Sequence, residues 1–234
     1  MMIEAEWWEY DSVEEMAEAV AGDVGFIIDS AIDARDASLL ALPGGKTPLP
    51  IFDKLVAAKR PWKKVTIIPT DERLVAVDHE LSNARMLAQR FMRAGARVIP
   101  IGGENDDVDA AGNIADARLQ DLPWPPDLVW LGMGADGHTA SIFAGPDMQK
   151  ALDAPNARRA VGVRPDPLPA EAPVARVTLT RAALLSARTL IITIQGEEKK
   201  ELLEQAISDG QSSRLPIGRL LAEAEQPIDI HWAP

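Results

Sequence analysis

The stretch LGMGADGHTASIF, from Leu131 to Phe143, combines three glycines with a histidine and a carboxylate. The glycines have the spacing G-x-G-x-x-G, which is found in dinucleotide-binding loops. Asp136 precedes His138 by two residues, and His138 is one of only three histidines in the chain. An imidazole has an unperturbed pKa of about 6.5, so it can take a proton from water near neutral pH. The stretch therefore either cradles a pyrophosphate or presents a catalytic base.

The residues that follow this stretch favour the catalytic interpretation. A dinucleotide-binding loop opens a long helix after its third glycine. Here Gly145-Pro146 begins only seven residues beyond His138, which is too soon for such a helix. We expect a turn that presents the imidazole, with Thr139 and Ser141 capping a short helix after it. A histidine that merely caps the turn is the alternative.

A second glycine-rich segment, PGGKTP, follows the apolar run Ser38–Leu42. Gly44 and Gly45 allow the backbone to turn sharply and to approach a ligand closely. Thr47 suits a helix N-cap and Pro48 the first helical position. Because amides at a helix start attract anions, the segment could bind phosphate. An ordinary tight turn between strand and helix explains it equally well.

Charged residues follow the apolar run Val65–Pro69 as the sequence Thr-Asp-Glu-Arg. The two carboxylates, of Asp71 and Glu72, can orient hydroxyl groups, and the guanidinium of Arg73 can pair with an anion. A surface ion pair is the alternative interpretation. Ser82 and Asn83 then open a helix, where they could act simply as caps.

A lysine lies near the start of the last long helical pattern. The segment QGEEKK follows the apolar run Thr189–Ile194, and Gly196 separates strand from helix. Lys199, in the first helical turn, could supply a point charge for phosphate. A solvated charged helix face is the alternative.

Apolar runs that alternate with helical patterns must position these residues. The predicted strands are Ser38–Leu42, Val65–Pro69, Arg97–Ile101, Asp127–Leu131 and Thr189–Ile194. The predicted helices are Ser12–Ala34, Pro48–Ala58, Asn83–Ala94, Val108–Leu122 and Glu197–Ser208. This alternation predicts an α/β fold with a mostly parallel open sheet and helices on both faces. Ligands bind such sheets at the carboxyl ends of the strands.

The chain is interpreted as one domain over residues 1–234, although two lobes are the alternative. The segment Gly145–Pro173 is rich in Pro, Ala and Arg. Because strand-helix alternation resumes after it in the same style, we read it as a long insertion, which is either a lid or passive.

Composition limits the classes of partner. The formal net charge of −12 makes nucleic acid an improbable partner, because its phosphate backbone would be repelled. The chain contains no cysteine, and no apolar run approaches the roughly 20 residues that span a bilayer. Its first ten residues, MMIEAEWWEY, are acidic and lack the order of a signal peptide. We expect a soluble cytoplasmic protein, without a membrane partner, that is a monomer or a weak homodimer.

Taken together, the motifs resemble the 6-phosphogluconolactonase family, within the glucosamine-6-phosphate isomerase/6-phosphogluconolactonase superfamily. The matching segments are LPGGKTP (42–48), TDERLVAVDHELSN (70–83), LGMGADGHTASIF (131–143), RVTLT (176–180) and GEEK (196–199). The resemblance implies a three-layer, Rossmann-like fold. It also implies hydrolysis of 6-phospho-D-glucono-1,5-lactone to 6-phosphogluconate, the second step of the oxidative pentose phosphate pathway.

Two other functions remain open beside this resemblance. Glucosamine-6-phosphate deaminases typically carry a glutamate shortly after the catalytic histidine, and a tyrosine where Arg73 stands. Neither residue is present here, which favours the lactonase. A phosphosugar sensor without catalytic activity is the second alternative.

The resemblance implies a role for each candidate residue. His138 is the general base, and Asp136 orients the imidazole or its loop. The substrate-binding residues are Gly44, Gly45, Thr47, Asp71, Arg73, Asn83 and Lys199. Arg176 matches a family position, where substrate contact and structural pairing both remain open. No metal is expected, because the chain has no cysteine and its histidines are isolated, and no cofactor is expected, because the helix after Gly137 would be too short.

Overall fold

Residues 3–234, which the computed structural model describes, contain ten β-strands and eight α-helices. The strands are β1 (Ala5–Glu9), β2 (Ser38–Leu42), β3 (Val65–Pro69), β4 (Asp71–Arg73), β5 (Arg97–Val98), β6 (Leu128–Leu131), β7 (Ala160–Val163), β8 (Arg176–Leu179), β9 (Thr189–Gln195) and β10 (Ile228–Ala233). The helices are α1 (Val13–Arg35), α2 (Leu49–Ala57), α3 (Asn83–Phe91), α4 (Val108–Gln120), α5 (Met148–Leu152), α6 (Arg181–Leu185), α7 (Glu197–Asp209) and α8 (Pro216–Leu221).

Seven strands form one sheet in the order β1-β10-β9-β6-β2-β3-β5, and every pair in it is parallel. The other three strands form a small antiparallel sheet in the order β4-β8-β7. The predicted α/β fold with a mostly parallel sheet is therefore confirmed. The small sheet was not predicted.

Side chains of the central strands alternate between two hydrophobic cores. In β2, Leu39 and Ala41 face one core, and Leu40 and Leu42 face the other. The first core also contains side chains from α4, α7 and α8, and the second contains side chains from α1, α2 and α3. Helices thus cover both faces of the sheet, which explains why its strands are continuously apolar. This arrangement confirms the predicted three layers.

The five predicted strands and five predicted helices are all present, with one notable difference in length. The predicted strand Arg97–Ile101 ends at Val98 as β5. Ile99 still donates its backbone N–H to Ile67, but the next residue is Pro100, which has no N–H to continue the ladder. Elements that the sequence pattern did not indicate are the edge strand β1 and its neighbour β10, the small sheet, and the short helices α5, α6 and α8.

The segment 145–173 contains α5 and β7, and β7 packs closely on α4. A Cβ at Gly162 of β7 would lie 1.8 Å from the carbonyl oxygen of Val108 in α4. Only glycine allows the two backbones this approach. Val161 and Val163 of β7 belong to the same core as Val129 of the central sheet. The centre of this segment is thus a packed structural strand.

None of the helices within residues 3–234 is long and apolar enough to cross a membrane.

A buried histidine lies where β1 and β10 pair. His231 is 2% exposed and stacks on the rings of Trp8 and Tyr10, with ring centroids 6.3 and 5.9 Å away. The Tyr10 hydroxyl lies 2.9 Å from His231 Nδ1. Burial lowers the pKa of His231 to about 4. The folded protein therefore holds this imidazole neutral at pH values where the unfolded chain protonates it.

This difference predicts a loss of stability in acid. The contribution of neutral His231 is complete above the unfolded pKa of about 6.5 and is lost as the pH falls toward 4. A difference of roughly 2.5 pKa units corresponds to about 3 kcal/mol. Between pH 7 and pH 4, the free energy of urea unfolding should fall by about 3 kcal/mol less in His231→Phe than in the wild type. The exposed His79 provides the control, since His79→Phe should follow the wild type. Equal pH dependence in the His231 variant and the wild type would contradict the prediction.

Candidate active site

The loops that carry the predicted site residues leave the same edge of the sheet. Strands β9, β6, β2 and β3 are consecutive parallel neighbours, so their carboxyl ends lie side by side. The segments that follow them are 43–48 after β2, 70–73 after β3, 132–143 after β6 and 196–199 after β9. The topology therefore places these four segments at the edge where ligands bind open parallel sheets. They contain Gly44, Gly45, Thr47, Asp71, Arg73, the loop of His138 and Lys199.

A tight turn presents His138. The backbone N–H of Gly134 donates to the carbonyl of His138 at 2.9 Å, and that of Gly137 donates to the carbonyl of Gly134 at 3.0 Å. Gly137 has a φ of +77°, a conformation that favours glycine. A Cβ at Gly134 would lie 2.2 Å from both Cε1 and Nδ1 of His138. The absence of a side chain at Gly134 is therefore what lets the imidazole fold back over the turn.

Asp136 holds the imidazole in one orientation. Its Oδ1 lies 2.5 Å from His138 Nδ1 and also accepts the backbone N–H of His138 at 3.1 Å. The hydrogen bond from His138 lowers the pKa of the Asp136 carboxyl. Because an ionised carboxylate only accepts hydrogen bonds, Nδ1 carries the hydrogen and the neutral ring has its lone pair on Nε2. The ring of Phe143 stacks on the imidazole of His138, with the two ring centroids 4.1 Å apart.

A buried polar cluster adjoins the histidine loop. Ser141 Oγ donates to Asp71 Oδ2 at 2.5 Å and so connects the loop to β4. Asn83 Nδ2 donates to the carbonyl of Asp71 at 2.7 Å, while Asn83 Oδ1 accepts from the Arg73 guanidinium. A Cβ at Gly44 would lie 2.2 Å from Asn83 Oδ1. The structure thus brings Gly44, Asp71, Arg73 and Asn83 together, and Ser141 links them to the loop of His138.

Arg176 of β8 is a buried cation beside the same loop. It is 4% exposed, and its guanidinium carbon lies 5.3 Å from the centre of the Phe143 ring. Its NH2 donates to the carbonyl of Ala172 at 3.1 Å. Among residues 3–234, no carboxylate forms a salt bridge with it, and Nε has no hydrogen-bond partner. Burial lowers the pKa of Arg176. Nε of Arg73 is buried and unpartnered in the same way, so two guanidinium groups here retain unused donors.

The two lysines at the start of α7 have different environments. Lys200 Nζ donates to Glu9 at 2.7 Å and lies 4.3 Å above the Trp232 ring. Half-buried Lys199 forms no salt bridge and no side-chain hydrogen bond within the described residues. Topology alone places Lys199 at the site edge.

The remaining two predicted residues, Gly45 and Thr47, lie in the loop after β2. Gly45 is exposed with a φ of +88°, and an added Cβ would meet no heavy atom within 4 Å. Thr47 is half-buried. Both residues line the site edge without joining the hydrogen-bonded cluster around Asn83, as far as the described part of the chain shows.

Two capping predictions were wrong. The N-cap of α2 is Pro48 and not Thr47, and a proline ring has no group that could accept a capping hydrogen bond. The N–H of Leu49 instead donates to the carbonyl of Lys46 in a preceding turn. Thr139 and Ser141 cap no helix. Thr139 Oγ1 donates to the carbonyl of Gly132 at 2.9 Å, and Ser141 donates to Asp71. Their hydroxyls hold the histidine loop to the rest of the site instead.

Sequence reasoning also missed Phe143, and it expected the wrong role for Glu72. The Thr-Asp-Glu-Arg motif was interpreted as two carboxylates facing one ligand. In a strand, successive side chains point to opposite faces, and this period of two was the available signal. Glu72 accordingly turns away from Asp71 and accepts the backbone N–H groups of Asn83 and Ala84, each at 2.7 Å. Burial raises the pKa of Glu72, and these backbone hydrogen bonds oppose the rise.

Within residues 3–234, no group of three or more His, Cys, Asp or Glu side chains is arranged to hold a metal ion.

The fold and this edge define an α/β protein with an open parallel sheet and a cationic, histidine-bearing loop cluster at its carboxyl end. Residues 11–232 match the family model described as glucosamine-6-phosphate isomerases/6-phosphogluconolactonase, and the chain belongs to that family.

Individual relatives match over almost the whole chain. The 6-phosphogluconolactonase of Rhizobium meliloti (strain 1021) is 37% identical over 229 residues, which cover 96% of this chain and 97% of that protein. That of Pseudomonas putida is 35% identical and covers 97% of this chain and 92% of its own. A crystal structure of a 6-phosphogluconolactonase from Shewanella baltica OS155 superposes with a TM-score of 0.90, at 31% identity and full coverage of both chains.

The contact between Gly134 and the imidazole predicts that Gly134→Ala displaces His138. Normal carbon contacts are about 3.5 Å or longer, so the ring must move by about 1 Å. With only three histidines in the chain, the imidazole signals of His138 can be followed by two-dimensional NMR. Gly132→Ala is the matched control, because a Cβ there meets no atom within 4 Å. We expect a large shift of one imidazole in the first variant and none in the second. Unchanged His138 signals in Gly134→Ala would contradict this geometry.

Proposed function

We propose that this protein hydrolyses 6-phospho-D-glucono-1,5-lactone to 6-phospho-D-gluconate, the second step of the oxidative pentose phosphate pathway. Membership of the family and the named activity of the relatives support this proposal. The observation that carries the chemistry is the imidazole of His138, whose Nδ1 is held by Asp136 and whose Nε2 is left to accept a proton.

In the proposed reaction, His138 acts as the general base. Nε2 takes a proton from a bound water molecule as the water oxygen attacks the lactone carbonyl carbon. The ring C–O bond then breaks, and the leaving ring oxygen takes the proton from the His138 imidazolium, which restores the neutral base. The carboxylic acid that forms loses its proton to solvent, so the product is a carboxylate with a free hydroxyl group. Asp136 stabilises the imidazolium that forms in the first step. General-base catalysis of this kind typically contributes about 10²- to 10⁴-fold in rate.

We propose that the cations of the site bind the phosphate. Arg73 and Lys199 are the primary anchors, and Gly44, Gly45 and Thr47 contribute amide or hydroxyl contacts. Asp71 and Asn83 organise the site through their mutual hydrogen bonds. Holding the phosphate in this way would place the carbonyl carbon beside the water and reduce the entropic barrier.

Arg176 is proposed as a substrate contact. A buried charge is costly unless a counter-charge compensates it. Arg176 is 4% exposed and forms no salt bridge within the described residues, so the substrate anion would supply the missing partner.

Residues 1–234 are proposed to form a single domain, in a soluble cytoplasmic protein that is a monomer or weak homodimer. The first core supports the single domain, because it combines Val129 of the central sheet with Val177 of the small sheet.

The proposed reaction is tested by following lactone hydrolysis directly. Purified protein should accelerate the opening of freshly made 6-phosphogluconolactone well above its spontaneous rate. It should release no ammonia from glucosamine 6-phosphate, because no glutamate follows His138 closely and Arg73 replaces the deaminase tyrosine. Ammonia release at the rate of lactone hydrolysis would identify a deaminase. Binding of phosphosugars without turnover would identify a sensor.

The role of His138 predicts a separation of turnover from binding. His138→Asn retains a polar side chain but cannot act as a base near neutral pH. We expect kcat to fall by about two to four orders of magnitude while the affinity for 6-phosphogluconate changes by only a few-fold. Single-turnover hydrolysis and calorimetric binding on one preparation measure both quantities. The exposed His79 again supplies the control variant, His79→Asn. Wild-type turnover in His138→Asn would remove His138 from the mechanism.

The two lysines of α7 allow a matched test of phosphate anchoring. Arg73→Ala and Lys199→Ala should each weaken 6-phosphogluconate binding by about 10- to 150-fold, which corresponds to about 1.5–3 kcal/mol for a charged hydrogen bond. Lys200→Ala removes a neighbouring charge that already pairs with Glu9, so it should have much less effect. Equal losses in the Lys199 and Lys200 variants would show that Lys199 is not a specific anchor.

A further inference from the structure

A buried carboxylate that is not one of the predicted site residues holds two of those residues in place. Glu72 is 2% exposed and accepts four hydrogen bonds. Its Oε1 accepts the backbone N–H groups of Arg73 at 2.9 Å and Asn83 at 2.7 Å. Its Oε2 accepts the N–H of Ala84 at 2.7 Å and the hydroxyl of Ser82 at 3.2 Å. All the capacity of this carboxylate is therefore used within the protein.

These bonds join β4 to the start of α3. Asn83 and Ala84 are the first residues of α3, whose N-cap is Ser82. Amides at this position have no partner within the helix, and a negative charge there is favourable. Glu72 supplies that charge from the neighbouring strand. The N-terminus of α3 is consequently occupied by the protein's own anion.

The position of Glu72 is closed on its other side by Gly102. A Cβ at Gly102 would lie 2.8 Å from Glu72 Cγ. The backbone of Gly102 therefore packs against the aliphatic part of Glu72, which faces away from Asp71, its neighbour in β4. It does not belong to the groups that could touch a substrate.

We propose that Glu72 is a positioning residue that sets the geometry of the phosphate anchor through Arg73 and Asn83. The effect reaches Arg73 by two routes. Glu72 holds the backbone N–H of Arg73 directly, and it holds Asn83, whose Oδ1 accepts a hydrogen bond from the Arg73 guanidinium. This inference rests on the proposed function, in which Arg73 binds the substrate phosphate.

Glu72→Gln is the primary variant. The amide keeps the size of the side chain but presents an NH₂ group to one pair of donors, so at least one backbone N–H loses its acceptor. We expect the dissociation constant for 6-phosphogluconate to rise by about 10- to 100-fold, because a small misplacement of an anchoring group has a cost of this size. Binding of gluconate, which lacks the phosphate, should not change.

The matched control is Asp127→Asn. Asp127 is another buried carboxylate, 6% exposed, and it accepts a backbone N–H from Leu39 at 2.9 Å. It precedes β6 and so lies at the amino ends of the strands, opposite the site. This variant should lose thermal stability without losing affinity for 6-phosphogluconate.

A double-mutant cycle separates positioning from a general loss of structure. If Glu72 acts through Arg73, adding Glu72→Gln to Arg73→Ala should weaken binding by no more than about twofold further. Additive losses, equal losses in Asp127→Asn, or wild-type affinity in Glu72→Gln would each overturn the proposal. Thermal melts establish that each variant is folded at the assay temperature.

If Glu72→Gln does not fold, Glu72→Asp replaces it in the same cycle. It retains the charge but is one methylene too short to reach all four donors, and wild-type affinity in that variant would likewise overturn the proposal. Two measurements in the same series distinguish this proposal from the proposed function. They are lactone hydrolysis by the wild type and 6-phosphogluconate binding by Arg73→Ala. Absence of hydrolysis in the wild type refutes the proposed function. Wild-type hydrolysis together with undiminished binding by Arg73→Ala removes Arg73 as the anchor, and the role of Glu72 falls with it.

Discussion

The parallel pairing of β9, β6, β2 and β3 is the constraint on which the candidate site depends. Residues far apart in the chain lie at one edge only because these four strands run in the same direction and are adjacent. Their pairing is stabilised by burial on both faces, since side chains of β2 alternate between the two cores. Loss of packing in either core would therefore disperse the loops that carry the site.

The small antiparallel sheet adds a second layer of control. Strand β4 contributes Asp71 and Arg73, and its partner β8 contributes Arg176. In the register of these strands, Arg73 lies opposite Arg176. Backbone pairing thus holds two guanidinium groups close together, and Arg176 forms no salt bridge with any acid of residues 3–234. The pair forms a local concentration of positive charge. Under the proposed function, that concentration would let a protein with a net charge of −12 bind the substrate phosphate.

Opposed roles for neighbouring residues recur in this site. Asp71 faces the histidine loop while Glu72 faces the start of α3. Lys199 remains without a salt bridge in the described chain while Lys200 pairs with Glu9. Such pairs explain why charge patterns in the sequence overstate the number of groups that can meet one ligand. They also supply the matched controls that make the proposed roles testable.

The amino-acid sequence by itself determined the central architecture. Continuous apolar runs such as Ser38–Leu42 and Thr189–Ile194 are long enough to pair as strands and too apolar to have an exposed face. The strand positions, the parallel sheet and the ligand-binding edge therefore followed from the local pattern. Only the tertiary structure decided which groups meet. The hydroxyl of Ser141 contacts Asp71, 70 residues away, because β6 and β3 end at the same edge, and no local pattern carries that information. Strands β7 and β8 were hidden for the same reason. They are short, and pairing with each other and packing on α4, rather than intrinsic periodicity, is what stabilises them.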